Sequence, residues 1–138
     1  MLTLRRMLAN ALSPEQVSIM KKALQEQAAG ERKAGVAIFD GGPTRPNQRV
    51  LSLFNKGEEF ADLMNHPAID AVIPWYIGDD PLMWAYNSNI ARPGGLPQVL
   101  HYDMGVMGCG RSKPVALNIS WLLCDTNEEN GGTFGPCL

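Results

Sequence analysis

From Val115 to Asp125 the chain alternates without a break: Val115, Leu117, Ile119, Trp121 and Leu123 fall on one side, and Ala116, Asn118, Ser120, Leu122 and Cys124 on the other. Successive side chains of an extended strand point to opposite faces, so this stretch predicts a strand with one packed face and one smaller, more polar face. Such a strand suits the wall of a barrel or sandwich whose interior holds a small ligand. The run Asn127-Glu128-Glu129-Asn130-Gly131-Gly132 that follows is a strong turn, and Thr133-Phe134 opens another strand.

Upstream, the pattern is helical first. Ser13-Pro14-Glu15-Gln16 combines an N-cap residue, proline at the first helical position and a capping-box glutamine, so a helix starts here. Val17, Met20, Leu24 and Ala28 form an apolar stripe at helical spacing, and Gly30 is its expected stop. From Asp40 to Asn47 the glycines and prolines demand a loop, and Arg49 to Leu53 can follow as a short strand. Glu58 to Met64 reads as a short helix carrying Phe60, Leu63 and Met64 inward, ended by His66-Pro67 because the residue before proline is pushed out of helical geometry. His66 is expected at that helix end, against its last carbonyls. Leu82 to Ile90 and Gln98 to Asp103 are expected strands, separated by the Pro93-Gly94-Gly95 turn. Met104 to Pro114, rich in glycine, reads as a loop.

With 138 residues the chain has the length of one domain with one core. Its net charge of −2 and its lack of a basic stripe point away from nucleic acid. No apolar run approaches the roughly 20 residues that span a bilayer. The three cysteines, Cys109, Cys124 and Cys137, have no paired metal-ligand spacing, which favours free thiols in a reducing, cytoplasmic setting. Met1 to Asn10 carries Arg5 and Arg6 with no acid before Glu15, so an organellar transit segment is the alternative to a plain lead-in for the first helix.

The chemistry-bearing pair is His101 and Asp103. On a strand, positions i and i+2 share a face, so an imidazole nitrogen and a carboxylate oxygen there can converge on one metal ion. Non-haem Fe(II) oxygenases hold iron with two histidines and one carboxylate on one face, leaving the other open. Only His66 remains as a second histidine, far upstream, whereas a distal ligand belongs downstream.

The ordered set Asn87-Ser88-Asn89, Arg92-Pro93-Gly94, Gln98-Val99-Leu100-His101-Tyr102-Asp103, Trp121-Leu122-Leu123-Cys124-Asp125-Thr126 and Glu129-Asn130-Gly131-Gly132-Thr133 resembles the phytanoyl-CoA dioxygenase family. That resemblance implies an α+β chain, mainly β with N-terminal helices, carrying a partial double-stranded β-helix (cupin or jelly-roll) core. The chain is then a single domain, 1–138, with a helical lead-in over 1–66 and an incomplete β core over 82–138. The resemblance also implies Fe(II) and 2-oxoglutarate as cofactor and co-substrate, dioxygen as reactant, and a small organic or lipid-like substrate that is hydroxylated. On the family pattern His101 and Asp103 are the first two iron ligands, and Asn89 and Gln98 line the co-substrate or substrate pocket. Family members usually follow the Asn-Gly-Gly-Thr turn with a Pro-Gly-Ser-His segment and later an arginine for the co-substrate. Here Thr133-Phe134-Gly135-Pro136-Cys137-Leu138 stands instead, and the expectation is a C-terminally truncated form with impaired activity. A non-catalytic, cupin-like binding or regulatory protein that has lost its metal centre is the competing reading.

Overall fold

Ser13 starts the longest element as its capping box requires. Its Oγ accepts the Gln16 N–H at 3.1 Å, and Gln16 Oε1 accepts the Ser13 N–H at 2.8 Å. A computed structural model describes residues 7–42, 44–98, 101 and 116–132. In it the chain forms helix α1 (Pro14–Lys33), strands β1 (Ile38–Phe39) and β2 (Gln48–Val50), a 3₁₀ turn (Leu53–Asn55), helices α2 (Glu58–Met64), α3 (Pro67–Asp70) and α4 (Ile73–Ile77), and strand β3 (Ser88–Ile90).

Gly30 does not stop α1. A glycine inside a helix costs about 1 kcal/mol relative to alanine, and here the last turn makes contacts that offset it. Glu31 accepts from Gln27 at 3.0 Å and from Lys56 at 2.9 Å. Burial raises the Glu31 carboxyl, but these hydrogen bonds and the Lys56 charge outweigh it and hold the group below its ordinary value. Arg32 donates to Gln48 Oε1. The helix ends at Ala34, and Gly35, at φ +73°, supplies the left-handed residue beyond it.

The three strands form one antiparallel sheet in the order β1-β2-β3, with Ile38 opposite Arg49, Gln48 opposite Ile90, Arg49 opposite Asn89 and Val50 opposite Ser88. Two of these strands come from the first half of the chain and one from the second, so the sheet ties the halves together. β1 carries no period of its own in so short a stretch, and its partner across the Asp40–Asn47 turn defines it. Gln48 and Val50 are fully buried on the face toward the helices, while Arg49 lies on the other side. The core gathers Met20 and Ala28 of α1, Val50, Leu53, and Phe60 and Leu63 of α2, with Leu12, Leu24, Tyr86, Ile90, Trp121 and Leu123 packed around it.

The ladder between β2 and β3 ends where Ser52 takes a left-handed conformation, φ +55°, which costs a non-glycine residue roughly 1–2 kcal/mol. Asn87 Oδ1 accepts the Ser52 N–H at 3.0 Å and Tyr86 O accepts the Leu53 N–H at 2.8 Å, holding that bend. Beyond it β2 turns into the 3₁₀ turn and offers no further rungs. The strand expected over Leu82 to Ile90 is therefore confined to Ser88–Ile90, and Leu82 and Trp84 are 91% and 84% exposed. Ala116 to Asp125 likewise has no partner strand among the described residues and is not a strand. Its alternation survives in packing only at the end of the stretch: Trp121 and Leu123 lie against the core and Leu122 is exposed, whereas Ile119, expected on the packed face, is 41% exposed.

The turn expected at Asn127–Gly132 forms. Asn127 Oδ1 accepts the N–H groups of Glu129 and Asn130 at 2.9 and 3.0 Å, and Gly132 N–H closes onto Asn127 O at 2.9 Å. Helix outweighs strand among the described residues, and the arrangement is α+β. No described helix is long and apolar enough to cross a membrane.

Gln48→Ala is expected to lower unfolding free energy by about 1–3 kcal/mol, because it leaves the groups its amide satisfies without partners in a buried site. Denaturant unfolding reads this, and an unchanged midpoint would show that the amide is dispensable.

Candidate functional site

β3 and the turn after it lead toward the predicted metal pair. Asn89 sits at the centre of β3, exposed, directly across from Arg49. Cross-strand partners share a face, so Asn89 and Arg49 lie on the side of the sheet away from the buried Gln48 and Val50. Arg49 Nε donates to Asp40 Oδ1 at 2.5 Å, with both side chains about a third exposed or less. This ion pair beside Asn89 was not anticipated from the sequence. Its only signal there was the placement of Asp40 and Arg49 on the two sides of the β1–β2 loop.

After β3 the chain turns at Arg92-Pro93-Gly94-Gly95. Gly95 N–H donates to Arg92 O at 2.9 Å, and Gly94 has φ +78°. Proline second and a positive-φ glycine third is the type II pattern, which reverses the chain in four residues. Gln98 and His101 follow, both exposed and outside any regular element. Asp103 lies outside the described residues, as do the loop expected over 104–114, Cys109 and the strand expected at Thr133-Phe134. Of the strand expected over Gln98 to Asp103, residues 99, 100, 102 and 103 lie outside the described residues. No three His, Cys, Asp or Glu side chains gather into a metal-sized group among the described residues.

The backbone N–H of His66 closes onto the last turn of α2, donating to Leu63 O at 3.2 Å, but its ring does not. It caps the next helix instead: Nδ1 accepts the Ala68 N–H at 3.2 Å, while Nε2–H donates to Ala11 O at 3.0 Å. Its ring also stands edge-on to Trp121, centroids 4.9 Å apart. With both nitrogens engaged, His66 joins the lead-in to α1, the start of α3 and the 116–125 segment, and it has no lone pair left for iron. Proline at the first position of α3 suits this helix start, as it does in α1.

One row of buried polar atoms on and beside β3 has no hydrogen-bond partner: Tyr86 Oη, Ser88 Oγ and Arg92 Nε. Burial pushes the Tyr86 phenol up to about 12 from its ordinary 10.0.

Comparison with known proteins decides the family. The profile of phytanoyl-CoA dioxygenase (PhyH) matches residues 7–135. The chain belongs to the phytanoyl-CoA dioxygenase family. It is also 29% identical over 114 residues to a protein called Dioxygenase af480 from Aspergillus fumigatus, an alignment that covers 80% of this chain and 37% of that protein. The chain therefore corresponds to well under two thirds of that relative's length. No solved structure matches it.

Within this family chain, two substitutions separate scaffold from site. His66→Ala is expected to lower stability by about 1 kcal/mol through the lost cap and to leave metal content unchanged; a drop in metal content would place His66 at the metal after all. Tyr86→Phe is expected to hold stability or raise it by up to about 1 kcal/mol, since the hydroxyl it removes is buried without a partner. The folded state keeps the Tyr86 proton to higher pH than the unfolded chain does, so wild-type stability falls as pH rises from 10 toward 12. Tyr86→Phe is expected to flatten that fall, read by urea unfolding across the alkaline range.

Proposed function

We propose that this chain carries the metal-binding half of an Fe(II)- and 2-oxoglutarate-dependent dioxygenase that hydroxylates a small organic or lipid-like molecule. What supports the reading most is the match to the family over residues 7–135, with the His-x-Asp pair at 101 and 103 falling inside it. The relative named as a dioxygenase adds to it.

The donor chemistry fits ferrous iron. One neutral imidazole and one carboxylate are two members of the facial set that such oxygenases use. His101 and Asp103 would hold the metal. Bound iron with 2-oxoglutarate would supply dioxygen activation, in which the co-substrate becomes succinate and carbon dioxide and one oxygen atom is inserted into a substrate C–H bond.

The chain's own residues do the positioning. Asn89, presented on the face opposite the helix layer, has an amide that can donate to a co-substrate carboxylate or accept from a substrate hydroxyl. Gln98, three residues before His101, offers the same groups closer to the metal pair. In the proposed architecture, a double-stranded β-helix, the helices cover the outside of the wall formed by β1, β2 and β3, and its other face looks into the barrel.

The test is Fe(II)-dependent release of succinate from 2-oxoglutarate, measured alongside anaerobic Fe(II) binding. His101→Ala is expected to take succinate release to background and to weaken metal binding by more than the roughly 10–100-fold that loss of an outer hydrogen-bond partner causes. Succinate release that persists in His101→Ala would overturn the ligand assignment. An absence of release despite Fe(II) binding, in this chain and in a longer product that contains a downstream histidine, would favour a non-catalytic binding protein.

A further inference from the structure

We infer that Asn47 is a positioning residue for the metal ligand His101, clamping the turn from which the chain runs on to it; the inference rests on the metal-site reading above. Asn47 stands immediately before β2, one step past the last paired rung, where Gln48 faces Ile90. Backbone pairing stops there, and the Asn47 side chain continues it. Its Oδ1 accepts the Arg92 N–H at 3.0 Å and its Nδ2 donates to Leu96 O at 3.2 Å. One amide therefore holds both ends of the Arg92–Leu96 turn. These partners are far away in sequence, so the clamp fixes the turn to the sheet and not merely to itself.

The turn is shaped to receive that side chain. A Cβ built on Gly95 would run into the Asn47 amide, so Gly95 leaves open the space the clamp occupies. Asn47 is itself fixed: its carbonyl accepts the Asp40 N–H at 3.0 Å, and its neighbour Gln48 is fully buried and bonded to Ala28 O at 3.0 Å. The rigid α1–β2 junction thus reaches the turn through one side chain, and from Leu96 only a short stretch of chain leads to His101. Asparagine is the residue this task needs: aspartate keeps the acceptor but loses the donor, and leucine loses both.

The experiment combines two readouts on the whole chain. Amide hydrogen exchange over 92–101 reports the clamp, and titration with Co(II), followed by its ligand-field absorption as a stand-in for Fe(II), reports the metal pair. Asn47→Ala is expected to speed exchange across this stretch about fivefold, the factor that one net hydrogen bond carries. It is expected to weaken Co(II) binding about tenfold, the lower end for loss of a supporting partner, and to change the absorption band shape. Asn47→Asp, which keeps the Arg92 contact, is expected to fall between the two and guards against a misfolded alanine variant.

Faster exchange with unchanged Co(II) affinity and spectrum would make Asn47 a turn stabiliser only and overturn the inference, as would unchanged exchange. Wild-type chain that fails to bind Co(II), or binds it equally well as His101→Ala, would overturn the metal reading and the positioning role with it. Binding that is lost in His101→Ala but untouched in Asn47→Ala would leave the metal reading standing and remove the clamp.

Discussion

The junction of the longest helix with the sheet is organised around one buried amide. Gln48 is wholly enclosed, a position where an unpaired polar group would cost roughly 1–3 kcal/mol. Its Nε2 donates to the carbonyl of Ala28 inside α1 and its Oε1 accepts from Arg32 one turn later. Two contacts from a single strand residue thereby set both the height and the rotation of the longest helix against the sheet. The apolar core then forms on the same face, in one cluster that holds Val50 with Ala28, Phe60 and Leu63. A core of so few fully buried residues leaves more of the specification to hydrogen bonds than a larger one would.

That junction orders the path to the candidate site in sequence. Gln48 anchors β2, β2 sets the register of β3, and β3 carries Asn89 on the outward face and hands the chain to the Arg92–Gly95 turn. The side-chain contacts of Asn47, Asn87 and His66 then do what backbone ladders no longer can. Each uses a short polar group to satisfy N–H donors where regular structure ends: at the turn, at the Ser52 bend and at the start of α3. The region leading toward His101 is consequently held by individual hydrogen bonds, and single substitutions there act locally.

Much of the helical part was legible in advance. Ser13, Pro14 and Gln16 encode the start of α1 through contacts within four residues, and the stripe Val17, Met20, Leu24 and Ala28 marks its packed face correctly. α2 is equally plain in its apolar spacing. The strands were less so. Alternation at Leu82 to Ile90 and at Val115 to Asp125 reports a preference for extended, one-sided packing, but pairing needs a partner whose identity alternation does not contain. Leu82 and Trp84 accordingly lie exposed, while Trp121 and Leu123 found the core without joining a sheet. His66 shows the same gap: proximity to a helix end was readable, yet which helix it would cap depended on Ala11 and Trp121, remote in sequence.

The amino-acid order alone determined the helix start, the turns at Pro93-Gly94 and at Asn127–Gly132, and the family kinship carried by the His101-x-Asp103 neighbourhood, because each of these is a matter of residues a few positions apart. Tertiary structure decided where α1 ends, which strands pair, that Arg49 stands beside Asn89, and that His66 serves the scaffold. These outcomes rest on contacts between distant segments, whose loop-closure entropy is repaid only when the whole core assembles.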